Sequence, residues 1–412
     1  MKRSPLLVGA TAVALALVAG CGTDEGTASS GGSGGGEGGT VKVGVVLPFS
    51  GVQAAIARFE GIGAEVAAKQ INDAGGIAGK WKIELVQKDD QLDAARSGSV
   101  VRELSSEGVS LAMGGQTTTL CQSLAEATAG AEIAFFGAHC TSKKLIDPPV
   151  TDNFWMVSAK DVDLTKALGS YISEEFPDVD QWSVFAYDQE VTRGFWTQTA
   201  AEISAQTGND ITAKQEFYVP VGETNYRNQL SSLLSGSQGA KDNSGLFLGV
   251  YGAGTTSFIQ QAKPLGLLDA YAVIAQTGVY WTTAKALEGT APSIHNVHEY
   301  FWSCQDNEMN KKFVADFEAL AGEKPDTGAY QSYVTLNLIA AAIEKADSID
   351  QAAVQEALPG LSIDTPTGLE LTMDGDSHHA NQPITVANLY GDPSAPQTVG
   401  IRDCKTVLAD EL

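Results

Sequence analysis

The chain has 412 residues, of which 43% are hydrophobic, and its formal net charge is −24. This length is too great for one ordinary domain and favours two. The negative charge repels phosphate backbones and anionic membrane surfaces, which argues against a nucleic-acid partner. Solubility accounts for most of the acidity, so the charge says little about a ligand.

The N-terminal segment has the pattern of a bacterial lipoprotein signal. A short basic start precedes an apolar stretch, residues 6–19, that is too short to span a bilayer as a helix. Small residues then lead to Cys21, which would be lipidated and become the new N-terminus. The alternative is an ordinary signal peptide with an incidental cysteine. The following residues are mostly Gly, Ser, Thr and acids, so we predict a signal peptide over 1–20 and a flexible tether over 21–40.

Residues 41–93 predict a βαβ unit. Residues 41–47 form an apolar run rich in β-branched side chains, which is typical of a strand buried on both faces. Apolar residues between Phe59 and Ile71 then recur at helical spacing, and 81–87 returns as a strand. Such a unit implies a parallel, doubly wound sheet. No Gly-x-Gly-x-x-Gly follows the first strand, which argues against a dinucleotide.

Two further predicted strands, 109–113 and 133–136, end in loops rich in hydroxyl groups. The first loop opens a predicted helix at 116–119, and the second contains 139–141. Ligands of open α/β sheets bind at the carboxyl ends of the strands, where helix N-termini and hydroxyl donors suit an anion such as a carboxylate. These threonines could instead only cap the helix.

The βα pattern then appears a second time. Helices alternate with strands predicted at 182–187, 210–218, 245–250 and 272–275. Later strands are predicted at 297–302 and 384–390.

Four cysteines follow the N-terminal one: Cys121, Cys140, Cys304 and Cys404. An even count in an exported protein fits two disulfides, and three pairings are possible. Cys121–Cys140 is favoured because both would lie in successive β-to-α loops at one edge of a sheet, where the bond would contribute roughly 3 kcal/mol. Cys304–Cys404 then follows by elimination. No Cys-x-x-Cys spacing supports a metal site, so none is predicted.

Three motifs resemble the substrate-binding proteins of ABC importers of the leucine/isoleucine/valine-binding type. They are LPFSG at 47–51, INDAGGIAG at 71–79 and DDQLD at 89–93, and the resemblance extends over about residues 41–400. It implies an α/β chain with the type I periplasmic-binding-protein fold, in which two Rossmann-like lobes joined by a three-crossover hinge close on a small ligand.

The resemblance also implies where the lobes begin and end. We expect the crossovers near Ser158, Val297 and Ala380. The N-terminal lobe would comprise 41–158 plus 297–380, and the C-terminal lobe 159–296 plus 381–412.

Ligand-binding positions follow from loops that match the family. The loop from Gln116 would offer hydroxyls to a carboxylate, and Tyr251 matches an aromatic residue of the second lobe. The residues expected to bind ligand are Ser50, Gln116, Thr117, Thr118, Thr119, His139, Cys140, Thr141, Glu190, Tyr251 and Thr277.

One departure from the family concerns the ligand's charge. Amino-acid binders of this family hold the ammonium group with an acid where this chain has Thr277. A buried ammonium without a carboxylate partner is costly. Either Glu190, Asp188 or Glu299 replaces that acid, or the ligand has no ammonium group. We therefore predict an amino acid or a related small carboxylate or amide as the ligand.

The sequence argues against an enzyme. It contains no Gly-x-Ser-x-Gly, Ser-x-x-Lys or His-Glu-x-x-His motif, so no catalytic residue or cofactor is predicted. A ligand-sensing subunit of a signalling system would have the same fold and stays open. The prediction is an extracytoplasmic, membrane-anchored lipoprotein, a monomer that delivers its ligand to an ABC permease.

Overall fold

The computed structural model describes residues 38–237, 241–277 and 281–412. The predicted signal peptide, Cys21 and most of the predicted tether lie outside these residues. The first strand begins at Thr40, one residue before the predicted start. No helix among the described residues is long and apolar enough to cross a membrane.

Strands and helices alternate through most of the described chain. The strands are β1 (Thr40–Leu47), β2 (Lys82–Asp89), β3 (Leu111–Gly114), β4 (Ala134–Gly137), β5 (Phe154–Met156), β6 (Gln181–Tyr187), β7 (Ala213–Val219), β8 (Ser244–Gly249), β9 (Val273–Thr277), β10 (Ile294–His298), β11 (Ser362–Asp364), β12 (Glu370–Asp374), β13 (His379–Asn381), β14 (Pro383–Gly391) and β15 (Val399–Leu408). The α-helices are α1 (Ala54–Asp73), α2 (Ala94–Ser106), α3 (Thr118–Thr128), α4 (Asp161–Glu175), α5 (Glu190–Thr207), α6 (Arg227–Ser237), α7 (Ala253–Ala262), α8 (Trp281–Lys285), α9 (Glu308–Ala321), α10 (Thr327–Ala346) and α11 (Gln351–Ala357).

The strands form two sheets, in the orders β11-β12-β13-β5-β4-β3-β1-β2 and β15-β14-β10-β9-β8-β6-β7. The pairs among β1–β5 and among β6–β10 are parallel. Antiparallel strands extend each sheet at one edge. The predicted α/β class, with two doubly wound parallel sheets, is confirmed.

Helices cover both faces of the first sheet. Val43 and Val45 of β1 pack into the core that α1 and α10 cover, whereas Val46 packs with Val100 of α2 and Leu124 of α3. Successive side chains of a strand point to opposite faces, so a strand covered on both sides needs a continuous apolar run. The sequence of β1 supplies that run.

The chain passes from one sheet to the other three times, after β5, β10 and β13. Side chains join the three connections. Gln382 Nε2 donates to the Val157 carbonyl at 2.8 Å, and the backbone N–H of Ala159 donates to Glu299 Oε1 at 3.2 Å. The predicted strand at 297–302 lies earlier, at 294–298, because the apolar residues Tyr300 and Phe301 pack into the core of the first sheet instead of pairing.

Both predicted disulfides are present. Cys121 is bonded to Cys140, with their Cα atoms 5.9 Å apart, and Cys304 to Cys404, with theirs 5.7 Å apart. The first bond joins the start of α3 to the loop after β4. The second joins the connection after β10 to the last strand.

Candidate functional site

β3 ends and the loop after it begins at two successive glycines that the local packing requires. A Cβ atom on Gly114 would lie 2.1 Å from the Val46 carbonyl oxygen, and one on Gly115 would lie 2.6 Å from Cys140 Sγ. Both residues have positive φ, at 133° and 83°, which glycine adopts at little cost. The close turn brings the disulfide directly beneath this loop.

The residues that follow these glycines form the start of α3. Thr117 is its N-cap and accepts a hydrogen bond from the Leu120 N–H at 3.4 Å. Thr118 and Thr119 are exposed on the first turn. Thr117 therefore does cap the helix, and the other two hydroxyls face solvent.

The loop after β4 starts at the same level of the sheet, because Gly114 pairs with Gly137. Its Cys140 is committed to the disulfide, and the Cys140 carbonyl accepts a hydrogen bond from Ser158 Oγ at 2.7 Å. Cys140 thus holds the loop in place with no polar side-chain atom left for a ligand. His139 and Thr141, on either side, are partly exposed.

An acid that the sequence analysis missed joins these two loops. Glu60 of α1 has 1% of its surface exposed. Its Oε1 accepts a hydrogen bond from Gln116 Nε2 at 3.2 Å and lies 3.5 Å from His139 Nδ1. We call these three residues the Glu60 cluster. The only sequence signal was an acid directly after Phe59 in a helix whose apolar face is buried.

Burial governs the charges of this cluster. It raises the pKa of Glu60 to about 8, to which the negative charges of Asp326 and Asp90 add, and the Gln116 hydrogen bond opposes the rise. Burial also lowers the pKa of His139 to about 4. Glu60 and His139 are therefore both predominantly uncharged at pH 7, although their spacing is that of an ion pair.

The N-terminus of α10 packs against the cluster. Gly328 allows this approach, since a Cβ atom there would lie 2.9 Å from Glu60 Cγ. Asp326 caps the helix by accepting the Ala329 N–H at 2.9 Å, and burial raises its pKa to about 7. A second buried acid thus lies beside Glu60.

Glu299, proposed as a partner for an ammonium group, is already hydrogen-bonded through both oxygens. Oε1 accepts from Gln331 Nε2 at 2.6 Å and from the Ala159 N–H, and Oε2 accepts from Thr327 Oγ1 at 3.1 Å. It joins α10 to two of the connections between the sheets.

The carboxyl ends of the second sheet differ from those of the first. Tyr251 follows β8 with 39% of its surface exposed, donates to Gln189 Oε1 at 3.0 Å and packs edge-on against Tyr187. Thr277 ends β9 and is buried, and its Oγ1 has no hydrogen-bond partner among the described residues. An uncharged buried hydroxyl therefore stands at the position that the family resemblance assigns to an acid.

The other two acids proposed for an ammonium group are exposed. Asp188 is paired with Arg193 at 2.8 Å. Glu190 is 93% exposed at the start of α5, with its Oε1 3.5 Å from Lys144 Nζ. Lys144 follows β4, so this ion pair links the loop end of the first sheet to that of the second.

The structure thus brings some predicted residues together and separates others. Gln116 and His139 both contact Glu60. Tyr251 donates a hydrogen bond to Gln189, which directly precedes Glu190 in the chain. Ser50 is exposed and hydrogen-bonded to Asp89 at the end of β2. No group of three or more metal-ligating side chains occurs in the described part of the chain.

Comparisons with known proteins identify the family and the fold of the chain. The family described as "Periplasmic binding protein" matches residues 40–392. A leucine-, isoleucine-, valine-, threonine- and alanine-binding protein of Pseudomonas aeruginosa is 23% identical over 359 residues, which are 86% of this chain and 91% of the relative.

Two solved structures show the same fold. The branched-chain amino acid transporter substrate-binding protein LivJ of Streptococcus pneumoniae, in complex with isoleucine, superposes with a TM-score of 0.73 at 20% identity, covering 90% of this chain and 99% of that one. A solute-binding protein of an ABC transporter from Rhodopseudomonas palustris BisB5, in complex with 3,4-dihydroxybenzoic acid, gives 0.74 at 18% identity, covering 90% and 98%.

Proposed function

Because this chain belongs to the periplasmic binding protein family, we propose that it is the solute-binding subunit of an ABC importer and captures a small carboxylate between two closing lobes. The observation that carries the proposal is the meeting of Gln116 and His139 beside the start of α3, at the carboxyl ends of β3 and β4. Uncharged hydrogen-bonding groups at a helix N-terminus suit an anion.

The lobes in this proposal are the ones expected from the sequence. Residues 41–158 plus 297–380 would form the N-terminal lobe, and 159–296 plus 381–412 the C-terminal lobe. The Lys144–Glu190 pair supports a cleft between them, since it joins loops of the two sheets at 3.5 Å. A solute that contacts both lobes would shift the population towards the closed form by its differential contacts.

The binding residues in this proposal come from both lobes. Gln116, the hydroxyls of Thr117 to Thr119, His139 and Thr141 would contact the solute carboxylate, with Ser50 at the entrance. Tyr251, Glu190 and Thr277 would contact the remainder of the solute from the C-terminal lobe.

The surroundings of Thr277 favour a solute without an ammonium group. Of the three acids that could have replaced the missing one, Glu299 uses both oxygens, Asp188 pairs with Arg193, and Glu190 is exposed. A small carboxylate such as an aromatic acid needs no such partner. An amino acid is the second candidate, because the relatives from Pseudomonas and Streptococcus are named for amino acids.

The N-terminal region completes the proposal. Lipidation at Cys21 would anchor the protein to the outer face of the cell membrane, and the tether would hold it near its permease at high effective concentration. The relatives are named as binding proteins, and none of these names favours a signalling role or an enzyme.

A thermal-shift panel tests the solute class. We expect benzoate, 4-hydroxybenzoate or 4-methyl-2-oxopentanoate to raise the melting temperature, because binding to the native state stabilises it by mass action, and leucine to have little effect. Tight binding of leucine with no binding of its keto acid would overturn the ammonium-free class. Binding of none of these compounds would count against solute capture itself.

Thr277 offers a sharper version of this test. Thr277→Glu places an acid where amino-acid binders of the family have one, so we expect it to gain affinity for leucine and lose affinity for benzoate. Thr277→Gln, of similar size without the charge, is the matched control and should gain no leucine binding.

A further inference from the structure

Glu60 is a buried acid that forms no ion pair with a lysine or arginine among the described residues. Its Oε1 contacts Gln116 and His139, whereas its Oε2 has no hydrogen-bond partner among the described residues, and neither has Gln116 Oε1. Leaving a buried acceptor without a donor costs free energy. Gln116 belongs to the loop after β3 and Glu60 contacts residues of both loops, so the two acceptors adjoin the region to which the proposed function assigns the solute.

The charged and titratable groups facing Glu60 come from several elements. Asp326 at the start of α10 and Asp90 after β2 both add negative charge, and the imidazole of His139 lies beside it. On α1 itself, the guanidinium of Arg58 donates to the Ala321 carbonyl. No lysine or arginine in the described ranges forms an ion pair with Glu60.

We propose that Glu60 is a specificity-determining residue of the solute site, which binds an anionic solute more tightly while the Glu60 carboxyl is protonated than while it is ionised. This rests on the proposed function. The protonated carboxyl leaves the cluster without net charge, and its O–H can donate within it. The ionised carboxylate places a negative charge beside the loops that receive the solute's own carboxylate, where the low dielectric strengthens the repulsion.

The surroundings of Glu60 set the pH at which this change occurs. Burial raises the pKa of Glu60 to about 8, so the carboxyl is mainly protonated at pH 7 and ionises on mild alkalinisation. His139, with its pKa lowered to about 4 by burial, stays neutral throughout this range. Affinity for an anion is therefore greatest below pH 8 and falls as the pH rises through it.

Isothermal titration calorimetry with benzoate and benzamide between pH 6 and 9.5 tests the proposal. The two probes share a ring and differ in charge, and neither titrates in this range. We expect the dissociation constant of benzoate to rise about sevenfold from pH 7 to 9.5, equivalent to a rise of one unit in the Glu60 pKa on binding, while that of benzamide stays within about twofold.

Two variants on the same helix assign the effect to its residue. Glu60→Gln keeps the shape without the ionisation, so benzoate affinity should lose its pH dependence above pH 8, where Asp326 is already mostly ionised. Glu65→Gln, at an exposed position of α1, should keep the wild-type profile.

The outcomes separate this inference from the proposed function. Benzoate binding that is independent of pH in the wild type, or equally dependent on pH in Glu60→Gln, would overturn the role of Glu60 alone. Failure of both probes to bind would count against the carboxylate-binding function and this role together. The wild-type profiles need no variant and decide the matter even if Glu60→Gln fails to fold.

Discussion

The loop ends of the two sheets are built differently. At the first, the buried Glu60 and the partly exposed Gln116 and His139 form a polar cluster beside a disulfide. At the second, Tyr251 and Glu190 are exposed, and the charged groups pair with one another near the surface. One end is fixed before a solute arrives, and the other presents side chains that can still rearrange.

This difference indicates a division of labour within the proposed cleft. Groups held in place before binding lose little conformational freedom when a solute arrives, so they favour affinity and discrimination. Exposed side chains at the other end lose more freedom but can adapt to the distal part of the solute. Three measurements test whether the two loop ends differ in this way.

The largest effect is expected from removing the disulfide at the fixed end. The double variant Cys121→Ala, Cys140→Ala opens a covalent loop whose ends are 19 residues apart in the sequence. We therefore expect the free energy of unfolding to fall by roughly 3 kcal/mol. Solute affinity should fall too, because the loops after β3 and β4 are no longer tied together. Urea denaturation and calorimetry measure the two changes.

The second disulfide is the matched control for that experiment. The double variant Cys304→Ala, Cys404→Ala opens a covalent loop whose ends are 100 residues apart, so the loss of stability should be at least as large. Affinity should change little, since neither cysteine lies in a solute loop. Equal losses of affinity in both variants would contradict the view that the first disulfide holds the loops after β3 and β4 in place for solute binding.

The next effect is the pH dependence of stability. Glu60 and Asp326 have native pKa values of about 8 and about 7, against 4.5 and 3.8 as ordinary values, because burial disfavours their charged forms. The native state therefore retains protons that the unfolded state has lost, and stability falls as pH rises until both acids ionise.

Buried histidines oppose this trend at lower pH. Burial lowers the pKa of His139, His295 and His379 to about 4, so the unfolded state binds more protons until its own histidines deprotonate, and this raises stability up to neutral pH. The histidines are common to the wild type and to Glu60→Gln, so the difference between the two stability profiles isolates Glu60. Between pH 6.5 and 8 we expect the wild type to lose about 1.6 kcal/mol more than Glu60→Gln. A flat profile by thermal denaturation would contradict the buried-acid account.

The smallest effect is expected at Tyr251. Tyr251→Ala should weaken solute binding about tenfold through loss of aromatic contact, with little change in melting temperature because the ring is 39% exposed. Tyr251→Phe should stay close to wild type, since it loses only the hydrogen bond to Gln189. A larger loss of stability than of affinity in Tyr251→Ala would assign the ring to packing.

Local patterns were sufficient to predict the parallel sheet, whereas the two-lobed fold was implied only by the family resemblance. The apolar run of β1, the helical spacing in α1 and the glycines after it are all short-range signals, and they predicted a parallel doubly wound sheet. The Cys121–Cys140 bond was also predictable, because parallel strands align the loops that follow them. The bounds of β10 were less predictable, since Tyr300 and Phe301 are as apolar as strand residues but pack into the other core.

The Glu60 cluster could not be predicted from such patterns. The burial of Glu60 depends on the approach of α10 at Gly328, which is far away in the sequence. The same holds for Glu299, whose position suggested an available acid until its partners on α10 were known. An acid's protonation state depends on tertiary neighbours, and spacing along the chain does not encode them.

The connectivity of the two disulfides has a consequence for biogenesis. Cys121 pairs with Cys140 and Cys304 with Cys404, so each cysteine of the pairs is bonded to its nearest neighbour along the chain. A chain exported from its N-terminus would expose them in that order, and an oxidase joining each new thiol to the previous free one would make the native bonds without isomerisation. The fifth cysteine, Cys21, would emerge first and disturb this order if its thiol stayed free. Lipidation of that sulfur would withdraw it from thiol exchange, so the proposed anchor would also protect oxidative maturation.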